Sequence, residues 1–137
     1  MRHRDLRLAL IIAAFAMGCA QPQADDEGLR ASFADRISTS SFVSDFTREG
    51  DNLKFSGPDG EGGSAEWGVR IDTALVEPNE FDEVMPYQGR ITSEWTVNGE
   101  VVEYLGNMTA LPEQFLERGL GQECWAYWVE AEGRWDW

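Results

Sequence analysis

The chain reads as a mainly β protein, a twisted antiparallel sheet of six or seven strands curled towards a small barrel or sandwich. Three observations point there. From Phe42 onward apolar residues recur with period two, in runs bounded by Gly, Pro, Asn and Asp. Asn98-Gly99 stands between two such runs, a strong short-range signal for a hairpin. Helical spacing is confined to a segment near the N-terminus and a short one near Pro112. An α+β arrangement, with the N-terminal helix packed on a curved sheet, is the alternative.

Leu29, Phe33 and Ile37 recur every four residues and share one helix face. They predict a helix over about 27–37, capped by Asp25 or Asp26 and broken at 38–41. Residues 42–47 and 53–56 are short strands, with a turn over 48–52 between them. The stretch 57–64 is a glycine-rich loop. Its acids invite a calcium reading, but the EF-hand spacing with a closing Glu is absent, so a simple turn is expected.

Residues 65–76 alternate. Trp67, Val69, Ile71 and Leu75 are expected on the core side, with Glu66, Arg70 and Asp72 towards water. The segment 77–87 carries two prolines and four acids and reads as a long loop, a place where function often resides. The Asn98-Gly99 turn sets a register in which Val97 faces Glu100, Trp95 faces Val102 and Ser93 faces Tyr104. Ile91, Trp95, Val102 and Tyr104 then share a core face. Glu94 falls opposite Glu103 on the other.

Pro112 suits a first helical position and Gly119 a C-terminal cap, so a short helix is expected within 109–119, docked by Phe115 and Leu116. Residues 123–129 form the last long strand. A turn over 130–133 leads to a final segment over 134–137. In that last strand Cys124, Ala126 and Trp128 share one face; Trp125, Tyr127 and Val129 share the other. Both faces are apolar, which suits a central or covered strand. Trp135 and Trp137 share a face beside it.

The first residues set the cellular context. Arg2, Arg4 and Arg7 precede an unbroken apolar run from Leu8 to Phe15, followed by small residues: the layout of a secretory signal peptide. The run is about half of the ~20 residues a spanning helix needs. Ala16-Met17-Gly18-Cys19 resembles the lipobox of bacterial lipoproteins. The resemblance implies cleavage before Cys19 and lipidation of Cys19 with acyl chains such as palmitate, enough for stable anchoring. Ala20 is not the Asp associated with inner-membrane retention, so the resemblance implies the periplasmic face of the outer membrane. The expected organisation is a signal peptide over 1–18, a lipidated tether over 19–27 and one β-rich domain over 28–137.

Composition narrows the chemistry. The chain has 11 Lys+Arg against 25 Asp+Glu, a net charge of −14. Removing the signal makes it more acidic still. Such a surface repels phosphate backbones and anionic head groups, so no nucleic acid is expected as a partner. The single histidine, His3, lies in the signal. The mature chain therefore lacks an imidazole base for Ser-His-Asp or Cys-His catalysis, and lacks the usual zinc ligands. No cofactor or metal is expected. With Cys19 lipidated, Cys124 has no disulfide partner and reads as a small buried residue. Asn107-Met108-Thr109 matches a glycosylation acceptor, a chance match in this setting.

Two constellations remain. Glu94 and Glu103 would permit carboxylate hydrolysis or an ion site if they meet in a cleft. Trp125, Tyr127, Trp128, Trp135 and Trp137 exceed the ordinary demand of so small a core, and they are the candidate binding residues. The expected function is a non-catalytic envelope binding module for a protein partner or cell-wall component. The alternatives are a small-ligand carrier with an apolar interior lined by Trp67, Trp95 and Trp128, and a carboxylate-based hydrolase.

Overall fold

The computed structural model describes residues 22–106 and 108–137. The expected signal peptide over 1–18, the expected lipidation residue Cys19 and Asn107 of the glycosylation match lie outside them. Helix α1 spans Asp26–Ser38. Asp25 caps it, its carboxylate accepting from the Gly28 amide at 2.7 Å. Leu29, Phe33, Ala34 and Ile37 form the buried stripe. The helix stops where hydroxyls capture its last carbonyls: Thr39 Oγ1 donates to Asp35 O at 2.8 Å and Ser40 Oγ to Arg36 O at 2.8 Å.

The helix begins one residue before the expected start at 27, so Asp26 and Glu27, at the end of the expected tether, are the first turn of α1. Upstream, the Gln23 carbonyl accepts the Trp135 indole N–H at 2.9 Å. Polar residues are being used here as caps and backbone acceptors, which composition alone does not distinguish from linker.

The strands are β1 Ser44–Glu49, β2 Asn52–Pro58, β3 Ser64–Pro78, β4 Tyr87–Val97, β5 Glu100–Val101, β6 Tyr104–Leu105, β7 Met108–Thr109, β8 Glu123–Val129 and β9 Arg134–Asp136. Helix α2, Glu113–Glu117, lies between β7 and β8. The main sheet is antiparallel in the order β1-β2-β3-β4-β8-β9, with β5 also on β4. It curls through 207° as a half-barrel. The buried stripe of α1 packs on β3 and β4 and joins one buried cluster with Val69, Ile71 and Ile91. The fold is mainly β, as the alternation predicts.

The β1–β2 turn is tighter than the five residues expected. Glu49 already pairs with Asn52, and Gly50 supplies the positive φ (62°) that a two-residue turn requires. At the next hairpin Asn98 (φ 50°) and Gly99 (φ 85°) both take left-handed conformations, and Val97 pairs with Glu100 as expected.

Three corrections matter for function. First, β3 carries a bulge: Ile71 pairs with Ser93 but Thr73 with Thr92, leaving Asp72 extra. One unpaired residue inverts the alternation beyond it. Ala74 is therefore buried, and Leu75, expected in the core, faces out. Second, the 98–99 hairpin ends early. Val102 N donates to Trp95 O at 2.8 Å, after which the chain leaves, and Tyr104 pairs with Thr109 instead. Ser93 N donates to Gln122 O at 2.8 Å, and β8 takes the edge of β4 from Thr92 to Tyr87. The expected pairs Ser93–Tyr104 and Glu94–Glu103 are thus not part of the ladder, and Tyr104 is exposed. β8 brings Cys124, Ala126 and Trp128 to the core, more apolar surface than residues 103–105 can bury. Third, α2 has five residues, with Pro112 at the cap position; one turn buries one face, so Phe115 is buried and Leu116 exposed.

The core is aromatic. Phe115 sits over Trp95 and Trp67 with ring centroids at 5.1 and 5.2 Å, and Phe55 meets Trp95 edge-on at 6.3 Å. Trp67 and Trp95 touch at 5.9 Å. These rings pack on one another within the buried core.

Candidate functional site

The five candidate aromatics separate into three environments. Trp128 and Trp135 are buried and pack edge to face at 5.4 Å. Trp137 is half-buried against Phe33 at 5.7 Å, its indole donating to Ser32 Oγ at 2.9 Å. Trp125 and Tyr127 stand on the convex face, 46% and 37% exposed. Both faces of β8 are apolar, as the sequence shows, but only one is covered.

The convex face is ordered by strand register. β8 pairs with β4, and β4 with β3, so Trp125, Arg90 and Leu75 form one cross-strand row; Tyr127, Gln88 and Glu77 form the next. Thr73 and Thr92, beside the first row, share a hydroxyl hydrogen bond at 2.6 Å. Arg90 lies over the Trp125 ring, 5.6 Å from its centroid, and Arg90 Nη1 donates to Glu123 Oε2 at 3.3 Å. This fixes the guanidinium beside the indole. Leu75, 45% exposed, completes a shallow depression with Glu77, Gln88, Arg90 and Trp125.

Sequence reasoning missed Leu75 and Arg90. The bulge at Asp72 moves Leu75 outward, and no composition signal marks it. Arg90 was visible as an outward position on an alternating strand, but its neighbours depend on which strand flanks β4.

At the same end of the sheet, β3 and β4 are joined by the loop 79–86. It was expected to be long, and it is braced. Asn79 N donates to Pro86 O at 2.7 Å and Asn79 Nδ2 to Met85 O at 3.0 Å. Asp82 Oδ1 accepts from the Val84 and Met85 amides at 2.9 and 3.1 Å. Glu130 N, just past β8, donates to Val84 O at 3.2 Å. This frame holds Phe81 at 98% exposure, an apolar ring presented to water by an ordered backbone.

The carboxylate constellation does not assemble. Glu94 lies across from Arg70, whose Nη1 is 3.5 Å from its Oε1, and Glu103 is off the ladder. Among the described residues no group of three or more His, Cys, Asp or Glu is placed to hold a metal. In the glycine-rich loop, Asp59 Oδ1 accepts from the Glu61 and Gly63 amides at 2.7 and 2.9 Å. Those bonds hold its pKa below the usual carboxylate value and turn the carboxylate onto its own loop. Cys124 is buried, and desolvation pushes its thiol up to about 12, which leaves it unreactive. No helix among the described residues is long and apolar enough to cross a membrane.

No protein-family model, curated protein or solved structure matches this chain.

Proposed function

We propose that the protein is a non-catalytic bacterial envelope lipoprotein, held by lipid on Cys19 at the periplasmic face of the outer membrane, that docks a protein partner through its convex face. One observation carries the docking surface: the row Leu75–Arg90–Trp125 is left uncovered, with Tyr127 in the next row and Phe81 exposed on the loop at that end of the sheet. Trp, Tyr and Arg are the residues most often dominant at protein interfaces. The rim is acidic, with Glu77 and Glu123 flanking the row and Asp136 opposite Tyr127 on β9. The fitting partner therefore presents an apolar centre within a basic rim. The depression on this face holds only about 190 Å³, below the roughly 300 Å³ at which small-ligand pockets begin, which suits a protein surface better than an enclosed sugar.

Photo-crosslinking residues placed at 125 and at 81, in the anchored chain within its own envelope, test the docking surface. The same protein adduct is expected from both positions, weakened by added salt, and absent from a control at Glu61 in the glycine-rich loop. Equal adducts from Glu61, or adducts to lipid alone, overturn the docking face. The anchor has its own test: Cys19→Ser should move the chain to the soluble fraction, and retention in the membrane overturns the lipoprotein reading.

A further inference from the structure

A second site lies on the other side of the molecule. Between the solvent side of α1 and the C-terminal segment is a cleft of about 460 Å³, walled by Ser32, Asp35, Arg36, Arg118, Trp135 and Trp137. Three arginines line it: Arg134 is paired with Glu132 and Asp136, and the other two hold each other's backbone. Arg36 Nε donates to Arg118 O at 2.9 Å, and Arg118 Nη2 donates to Arg36 O at 3.1 Å. Arg118 Nε also reaches Ser40 Oγ at 3.1 Å.

This pair is anomalous for the chain. Acids outnumber bases 25 to 11. Arg30, Arg48, Arg70, Arg90 and Arg134 each lie within 4.0 Å of a carboxylate. Among the described arginines only Arg36 and Arg118 make no such pair, and they are neighbours. Partial burial lowers the Arg36 pKa from its ordinary value; the Arg118 charge and, less, that of Arg134 add to this, while Asp136 opposes it. Two like charges are thus kept together and partly out of water, with both Arg36 Nη groups outside any protein hydrogen bond among the described residues. Pre-positioned guanidinium donors of this kind match a carboxylate geometrically.

The rest of the cleft narrows the ligand. A water occupies about 30 Å³ of liquid volume, so the space far exceeds what an inorganic ion fills. Pro22, Ala31 and the Trp135 and Trp137 rings supply apolar wall. Asp35 on the wall and Asp136 nearby disfavour a doubly charged anion. We infer that this cleft binds a small organic monocarboxylate, its carboxylate between Arg36 and Arg118 and its apolar body against Trp137.

The test follows the Trp137 indole and Arg36 Nε signals of the full chain by ¹H–¹⁵N NMR during titration with phenylacetate, phenylacetamide and inorganic phosphate. Phenylacetate should give saturable shifts of both signals, and phenylacetamide none. Arg36→Gln should weaken the binding on the order of tenfold, the scale of one charge-assisted hydrogen bond, in a chain that remains folded by its unchanged Trp95 indole signal. Arg118→Gln should do the same; if it loses the fold because Ser40 and the end of α1 are released, Arg36→Gln decides alone. No saturation with phenylacetate, an equal response from Arg36→Gln, or shifts with phosphate but not phenylacetate each overturn the inference.

Discussion

Strand β8 places three aromatic rings on two faces, and the faces are built differently. On the concave side Trp128 has its ring on Trp135 and its indole N–H directed to Glu130 Oε2 at 3.3 Å. The other core-side indoles are likewise bonded: Trp95 to Ser93 Oγ at 3.0 Å, Trp67 to Pro58 O at 3.0 Å, Trp135 to Gln23 O at 2.9 Å. On the convex side Trp125 has an arginine over its face and, among the described residues, no protein acceptor for its N–H. Buried indoles need partners because an unmade hydrogen bond costs about 1–3 kcal/mol. An indole left open to solvent does not. The difference separates rings that hold the fold from a ring available to a partner, although Trp125 and Trp128 lie three positions apart on one strand.

The comparison is broken most forcefully from the concave side. Trp95 is fully buried among Phe55, Trp67 and Phe115, and its N–H reaches Ser93 Oγ, which itself donates to Gly121 O at 3.1 Å. Trp95→Ala should cost roughly 3–5 kcal/mol in chemical denaturation. A loss below about 0.5 kcal/mol would place that ring outside the core.

Next in size is an overpacking test. A Cβ on Gly89 would stand 2.7 Å from Leu29 Cδ2 and 3.2 Å from Trp135 Cζ3, where α1 lies against β4. Gly89→Ala should destabilise by about 1–3 kcal/mol, measured by thermal unfolding. Leu29→Val beside it should recover part of that loss. Additive losses instead would mean that α1 does not sit on Gly89.

The thiol of Cys124 gives a pH-dependent version of the same contrast. Burial raises its folded pKa from 9.0 to about 12. The neutral thiol is favoured in the fold, so the stability is fully present below the unfolded pKa near 9 and is lost as pH rises towards 12. Between pH 9 and pH 10 the unfolding free energy should fall by about 1 kcal/mol more in the native chain than in Cys124→Ala. Equal slopes for the two would show that the thiol is open to solvent.

Much of this architecture is legible from alternation and caps. Leu29, Phe33 and Ile37 mark α1, Asn98-Gly99 marks its hairpin, and the parity of β8 puts Trp125 with Tyr127 and Trp128 with Cys124. What is not legible is non-local. The bulge at Asp72 leaves no residue signature, yet it moves Leu75 from the expected core to the convex face. The exchange of neighbours along β4, from β5 to β8 at Ser93, depends on competition between segments nearly 30 residues apart (28 for Ser93 and Gly121). Alternation also sorts rings by face without saying which face is covered, so Trp128 and Trp135 stood among the binding candidates. Arg36 and Arg118 meet across 82 positions, and only the fold brings them together.

The smallest stability effect bears most directly on the proposed docking face. Trp125→Ala removes a half-exposed ring whose one described partner is the Arg90 guanidinium, an exposed cation–π contact worth about 0.5–1 kcal/mol. Arg90 keeps Glu123, so little of that contact energy should appear as lost stability, and the unfolding free energy should move by no more than about 0.5 kcal/mol. The same substitution should abolish partner crosslinking from position 81, because hot-spot aromatics dominate an interface without supporting the monomer. The converse substitution sharpens the point: Trp128→Ala, three residues further along β8 and on its buried face, should cost several times more stability. If Trp125→Ala destabilised as much as Trp128→Ala, the convex face would be covered in the native protein and would have no free surface to offer. If it changed neither stability nor crosslinking, the ring would be an exposed residue without a role, and Phe81 alone would have to carry the contact.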